Sequence, residues 1–219
     1  SAATAQALAQ AVRDDVDAQG GIASRIPEAL LEVAMRLGWS IDALRVLGDV
    51  PAPLMAAQAR IVPTLRALRH ADGGLARFHG GGRGRPGRLD RVLVTSGIRS
   101  RNDSGLAMGF VPVGHGRTSL IADAAAPPTG EASGSAHAST LAFELTSGNC
   151  PVIVNCGPGG SFGPDWHRAG RATASHSTLE ITGWSSSRVG PLMPQGGRQI
   201  APLIQTPTRV QWQRSASRR

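Results

Sequence analysis

The sequence predicts an α+β protein in which a helical part precedes an antiparallel β-sheet part. Up to about residue 70, apolar residues recur at three- and four-residue steps, as on one face of a helix. From about residue 108, short apolar and β-branched runs alternate with Gly, Pro and Ser clusters. Because the strands follow the helices instead of alternating with them, we expect separate layers and not βαβ units. The predicted division is a helical region 1–80, a Gly/Arg-rich linker 81–105 and a β-sheet region 106–219.

Turn and cap residues delimit the predicted helices. Pro27 suits the first turn of a helix and Gly38 its C-terminal cap, whereas Ser40 suits the N-terminal cap of a short helix that follows. Pro63 lies inside the last apolar pattern and is expected to kink that helix or restart it. The predicted helices cover residues 2–18, 27–38, 41–47 and 53–70.

The second half of the chain carries the pattern of a β sheet. Residues 80–88 consist of Gly, Arg and Pro alone, which excludes regular structure there. Residues 114–117, Gly-His-Gly-Arg, separate two apolar runs and predict a hairpin turn. The predicted strands cover residues 108–113, 118–123, 140–146, 150–155, 177–182 and 209–213.

Composition limits the classes of function. The chain has 219 residues with 23 basic and 15 acidic side chains, and every basic residue is Arg. A charged fraction of 17% argues against a charged disordered polymer, and no run approaches the ~20 apolar residues of a membrane span. Arg binds carboxylate, sulfate and phosphate, so an acidic partner is expected, either nucleic acid or an anionic polysaccharide. Nucleic acid is disfavoured because basic elements interleaved with exposed aromatic residues are missing.

The two cysteines and the chain ends give two further expectations. Cys150 and Cys156 flank an apolar run that is expected to be extended, which separates their Cα atoms by roughly 20 Å. A disulfide requires about 7 Å or less, so both are expected to be free thiols. The chain opens on Ser1 without an apolar leader and ends soon after a predicted strand, so we expect it to be a piece of a longer protein.

Three segments place a His or Asn at the end of an apolar strand. They are residues 135–145, 152–157 and 171–179, and they contain His137, Asn155 and His176 respectively. Two histidines and one oxygen ligand are a donor set for a single metal ion, provided the oxygen comes from a carboxylate. The alternative is that the histidines only cap backbone groups at strand ends.

These segments resemble the C-terminal β-sheet domain of the heparinase II/III-like polysaccharide lyases. In that family a His-Ala segment leading to Phe-Glu-Leu, a strand ending in Asp or Asn and Gly, and a Thr-Ala-X-His-X-Thr strand follow one another in this order. Residues 65–78 resemble the last turns of the family's α/α toroid, and the resemblance covers about residues 17–190. It implies the C-terminal part of an α/α toroid followed by an antiparallel β-sandwich domain, which is incomplete in this chain.

The resemblance implies β-elimination on an acidic polysaccharide that contains uronate, whether sulfated or not. A base removes the C5 proton, a second group neutralises the sugar carboxylate, and an acid protonates the leaving oxygen. By position the family's metal ligands fall on His137, Asn155 and His176. Asn155 stands where better-known members have Asp, so the expected cofactor is none or a structural zinc. The candidate substrate-binding residues are Arg25, Arg77, His79 and Arg171.

The helical region departs from the family's catalytic pattern. Ile22 and Ile26 occupy the positions at which compared relatives carry His and Asn, and the chain has no Tyr. Only His70 and His79 remain nearby as possible bases, and the catalytic residues are unassigned. Two functions therefore stay open, an acidic-polysaccharide lyase and a non-catalytic carbohydrate-binding fragment of the same fold. The resemblance places either one in the bacterial cell envelope or periplasm.

Overall fold

A computed structural model describes residues 2–102 and 105–213 and confirms the α+β class. Four helices come first, then a sheet, and finally a mixed segment of short elements. The helices are α1 (Ala2–Asp15), α2 (Pro27–Leu47), α3 (Ala52–Ala67), α4 (Arg88–Thr95) and α5 (Pro164–Gly170). The strands are β1 (Phe110–His115), β2 (Thr118–Asp123), β3 (Phe143–Ser147), β4 (Cys150–Ile153), β5 (Arg188–Val189), β6 (Met193–Gln195), β7 (Arg198–Ile200) and β8 (Leu203–Ile204).

Helix α2 is one continuous helix, which corrects the prediction of two helices over 27–38 and 41–47. Leu37 and Ile41 are both buried on the core side, so packing continues through Gly38 instead of stopping there. Ser40 does not cap a new helix, because its hydroxyl donates to the Arg36 carbonyl one turn earlier. The helix ends at Gly48, whose φ of 120° suits a residue without a side chain.

Helices α3 and α4 also differ from the predicted boundaries. Helix α3 runs through Pro63 without restarting, and the ring of Pro63 is buried in the core. Helix α4 lies inside the predicted linker 81–105 and packs against α2 and α3 through Leu89 and Val92. Residues 80–87, which contain the glycine run, have no helix or strand, as the composition predicts.

The main sheet is antiparallel with strand order β1-β2-β3-β4. The predicted hairpin forms between β1 and β2, and its turn is Gly116-Arg117 with Gly116 at φ 57°. Phe110 and Ile121 from this sheet belong to the same apolar core as Leu54 and Leu65 of α3. The helical and sheet layers therefore share one core.

Two predicted strands are absent from the described residues. The predicted strand 177–182 is irregular apart from a single bridge between Ile181 and Trp184. Two hydrogen bonds join it to β3 and the residues just before β3. The Ser177 carbonyl accepts from the Phe143 N–H, and the Thr178 hydroxyl donates to the Thr140 carbonyl, which is too little pairing for a strand. Residues 209–213 are also irregular, and the strand pairs β5–β8 and β6–β7 form in that half of the chain instead.

Candidate functional site

An ion pair between Arg25 and Asp123 lies where the helical layer meets the sheet. Arg25, in the loop between α1 and α2, donates to Asp123 Oδ1 at 2.5 Å, and both side chains are buried. The guanidinium also donates to the carbonyls of Met108, Gly109 and Ala126, and it stacks on Phe110 at 4.5 Å. This guanidinium thus has four hydrogen-bond acceptors and one aromatic ring around it, all from within the protein.

His79 approaches Asp123 from the other side. Its Nδ1 accepts a hydrogen bond from the His137 backbone N–H at 3.2 Å, so the ring proton lies on Nε2. That Nε2 is 3.7 Å from Asp123 Oδ2, which also accepts from the Ser139 hydroxyl. Burial, followed by the charge of Arg25, holds the pKa of His79 well below its usual value. Burial raises the pKa of Asp123, and Arg25 opposes that rise.

His137 and His176 lie against one another, although both belong to irregular segments and neither stands at a strand end. The His176 Nδ1–H donates to the Ala172 carbonyl at 2.8 Å, which leaves Nε2 free to accept from His137 Nδ1–H at 3.0 Å. Burial, then His176 and Arg171, lower the pKa of His137 to about 3. Burial likewise lowers the pKa of His176. Both imidazoles are therefore neutral at pH 7.

Arg171 holds the segment that carries His137. Its Nε donates to the Ala136 carbonyl at 2.8 Å, and its Nη2 donates to the Ser133 backbone carbonyl at 2.9 Å. The Arg171 carbonyl accepts from the Ala138 N–H at 2.8 Å, so both chain segments are fixed in register. The side chain is fully buried, and burial with a contribution from Arg168 lowers its pKa to about 10.

A second buried carboxylate, Glu144 on β3, joins four parts of the chain. Its Oε2 accepts from the Arg77 backbone N–H at 2.9 Å and from His70 Nε2 at 3.2 Å. Its Oε1 accepts from the Asn155 backbone N–H at 2.9 Å. The Ser119 hydroxyl accepts from the Ala71 N–H and donates to His70 Nδ1.

The sequence interpretation missed both buried carboxylates as site residues. Glu144 stands between apolar neighbours on β3, and Asp123 follows the apolar run 120–122 at the end of β2. An isolated acid in an apolar strand is a usable signal, because a buried charge requires partners. The sequence does not reveal the partners themselves, since His70 and Arg25 lie 74 and 98 residues away along the chain.

A protein-family model matches this chain and shows which family it belongs to. A profile described as heparinase II/III-like, C-terminal, matches residues 98–217, which is more than half of the chain. The chain belongs to the heparinase II/III-like family. A relative from Caulobacter vibrioides, FtsZ-localized protein C, is 30% identical over 191 residues and aligns with 83% of this chain and 33% of its own length.

Solved heparinase-like structures share the fold at low identity. A heparinase III structure has a TM-score of 0.65 at 13% identity and covers 89% of this chain and 35% of its own length. The heparan sulfate lyase HepC from Pedobacter heparinus has a TM-score of 0.59 at 14% identity, covering 84% of this chain and 34% of that enzyme. This heparinase II/III-like chain thus spans about a third of the length of the relatives that it matches.

The residues that the resemblance assigns to a metal site form a donor set that does not fit zinc. His137, His176 and Asn155 are all neutral ligands, and the positive charge of Arg171 already disfavours a further charge at His137. The Asn155 amide is buried, and neither its nitrogen nor its oxygen has a hydrogen-bond partner among the described residues. Within residues 2–102 and 105–213, no group of three or more His, Cys, Asp or Glu side chains is placed to hold a metal ion.

The candidate substrate-binding residues lie in two environments. Arg25, His79 and Arg171 are buried and committed to the contacts given above, so their side chains are not open to a polymer. Arg77 is half-buried, and its backbone is held by Glu144. Both exposed cysteines are free thiols, as expected.

Ile22 and Ile26, at the positions that the resemblance links to the family's catalytic residues, are packing residues. Ile22 is half-buried and packs against the apolar core. Ile26 precedes α2, and the chain passes so close that a Cβ at Gly81 would lie 2.8 Å from its side chain. No helix in residues 2–102 or 105–213 is long and apolar enough to cross a membrane.

Proposed function

We propose that this heparinase II/III-like chain binds an acidic polysaccharide and does not itself cleave it. The observation that supports this proposal is that three histidines are buried and held by hydrogen bonds within the fold. His70, His79 and His137 are all buried, and each has its ring or backbone tied into the hydrogen bonds of the layer junction. A general base has to come within hydrogen-bond reach of the proton that it removes. These three histidines support the fold instead.

Unpaired arginines support polymer binding. Three exposed or half-buried arginines near α4 are neutralised by acids, in the pairs Arg83–Asp72, Arg88–Glu32 and Arg69–Asp90. Arg85 and Arg91 are exposed in the same stretch and form no ion pair with any described residue. Their guanidinium forks remain available for the carboxylate or sulfate groups of a polymer.

Binding is tested with immobilised heparin and with alginate, using the chain of 219 residues. We expect the Arg85→Gln, Arg91→Gln double variant to bind heparin about tenfold more weakly, at about 0.7 kcal/mol for each lost exposed contact. Arg13→Gln, on the exposed face of α1, is the matched control and should bind like the parent chain. An unchanged affinity in the double variant would contradict the proposed surface.

Lyase activity is the second candidate, and family membership favours it. Each general acid–base contribution is worth about 10²–10⁴ in rate, so a chain without two or three of them keeps little activity. We expect no rise in the absorbance of unsaturated uronate when the chain is incubated with heparin or alginate. A measurable rise that His79→Ala or His70→Ala abolishes would show that the base lies at the layer junction after all.

The relative FtsZ-localized protein C adds a question of location. Its name describes a protein that localises with FtsZ, and placement at FtsZ assemblies is therefore a candidate property of this chain. The cell envelope or periplasm remains the alternative proposal from the lyase relatives. Co-sedimentation of the chain with FtsZ polymers, with the polymer-free chain as control, separates the two: recovery in the polymer pellet supports the first.

A further inference from the structure

A groove runs between the residues around Ala172 and the loop 183–188. It consists of two adjoining cavities of about 440 and 720 Å³ that share Ala172, Ser185 and Arg188 in their walls. The lining of the larger cavity includes the small side chains of Ala172 and Ala174. Small-molecule sites typically occupy about 300–1,000 Å³, so either part accommodates one or more sugar rings.

Trp184 forms one wall of this groove and is held in place from its backbone. Its side chain is 76% exposed, and its backbone N–H donates to the Ile181 carbonyl at 2.8 Å to close a turn. The next two residues are fixed by the buried Thr173 hydroxyl, which accepts from the Ser185 hydroxyl at 2.8 Å and from the Ser186 N–H at 3.0 Å. The indole is thus presented to solvent on an ordered loop, so little ordering is required when a ring stacks on it.

The polar groups of the groove are complementary to an acidic sugar. Arg188 begins β5 opposite Ile204, and its exposed side chain forms no ion pair with any described residue, Glu180 included. The nearby Arg168 is already committed, because it donates to the Val189 and Gly190 carbonyls. The groove therefore offers one unpaired guanidinium for a carboxylate or sulfate. The carboxylates of Asp165 in the smaller cavity and Glu180 in the larger one are acceptors for sugar hydroxyls.

Backbone strain marks the same groove. Gln205, which lines the larger cavity directly after β8, has a φ of 52°. A residue with a side chain in this left-handed region costs of order 1 kcal/mol, and such residues concentrate at ligand sites. Gln205 thus adds a further polar residue to the lining of the cavity that Trp184 and Arg188 border.

We infer that the groove is a subsite for one acidic sugar residue. The sugar ring stacks on the indole of Trp184, its carboxylate or sulfate pairs with Arg188, and its hydroxyls donate to Glu180. This inference rests on the proposed binding function and adds to it the place and the class of the recognised unit. It assigns specificity to Trp184 and Arg188, whereas Arg85 and Arg91 supply attraction to the polymer as a whole.

The test is titration calorimetry of the intact chain with a heparin tetrasaccharide, and with cellotetraose as the neutral probe. We expect Trp184→Ala and Arg188→Gln each to weaken tetrasaccharide binding at least tenfold. Trp166→Ala is the matched control, because that Trp is 64% exposed and lies outside the groove, and it should bind like the parent chain. The melting temperature of each variant verifies that it is folded.

The outcomes distinguish the subsite from the proposed function. If the parent chain binds long heparin but neither Trp184→Ala nor Arg188→Gln weakens tetrasaccharide binding, the subsite is wrong and polymer binding stands. Equal affinity for cellotetraose would overturn the acidic class of sugar. If the parent chain binds no acidic polymer, the proposed function fails and the subsite fails with it.

Discussion

At the scale of single residues, Asn155 decides the chemistry of the family's metal position. Its two side-chain atoms are buried without described partners, beside a strand end that Glu144 fixes through the backbone. An amide donates no negative charge, so the two neutral histidines and this amide leave a divalent ion uncompensated. The sequence predicted this weakness from residue type alone.

We therefore expect Asn155→Asp to raise zinc affinity. The change keeps the size of the side chain and supplies the carboxylate that a neutral pair of imidazoles lacks, which should strengthen binding by at least tenfold. Zinc titration followed by elemental analysis measures it, with Asn149→Asp on an exposed turn as the control for added charge. Stoichiometric zinc in the unsubstituted chain would contradict the assignment.

At the scale of elements, the contact between the α1–α2 loop and α3 depends on Gly20. Gly20 has a φ of 77°, and a Cβ there would lie 2.2 Å from the Arg60 carbonyl of α3. The Asp17 carboxylate and the Thr64 hydroxyl hold the same loop in place, by accepting from Gly21 N–H and donating to Gln19 respectively. A side chain at this glycine therefore forces the loop away from the helix.

We expect Gly20→Ala to destabilise the protein by about 2–4 kcal/mol, the sum of backbone strain and overpacking. Gly97→Ala is the matched control, because its φ is 67° and no atom lies within 4 Å of the added Cβ, so only the strain of about 1 kcal/mol remains. Urea unfolding of both variants measures the difference. Equal losses would show that the loop yields without cost.

Elements with a local signal were predictable and elements decided by packing were not. The β1–β2 hairpin follows from the Gly-rich turn between two apolar runs. The contact of His137 with His176 forms between two irregular segments, so the predicted strand ends do not explain it. Helix α4 and the continuity of α2 depend on burial against neighbouring helices, which outweighs the Gly and Pro signals. Residues 177–182 also depend on their neighbours: the segment contains β-branched residues, but it has too few backbone hydrogen bonds to a neighbouring strand to be a strand itself.

At the scale of the whole molecule, three neutral histidines, two of them buried and His176 half-buried, make stability depend on pH. The pKa values of His79, His137 and His176 are all lowered in the folded chain, mainly by burial. An unfolded His has a pKa near 6.5, so below that value the unfolded state binds more protons. The stabilisation is complete above about pH 6.5 and is lost as the pH falls toward the folded values.

We expect the free energy of unfolding to decrease below about pH 6, by about 1.4 kcal/mol per pH unit for each histidine that stays neutral. His176→Gln removes one such group but keeps an acceptor for His137, so its slope should be smaller by that amount. His115→Gln, on the exposed hairpin, should keep the parent slope. Urea unfolding in EDTA between pH 7 and 5 measures all three, and a flat profile would contradict the neutral assignment.

The carboxylate of Glu144 also governs how the two layers open. It is the common acceptor for the amide protons of Arg77, on the helical side, and Asn155, on the sheet side. Each proton is bonded to a different oxygen of this one carboxylate, so we expect the release of Glu144 from its buried site to free both. The hydrogen-exchange rates of these two amides thus report one opening event, whose free energy is that of separating the helices from the sheet.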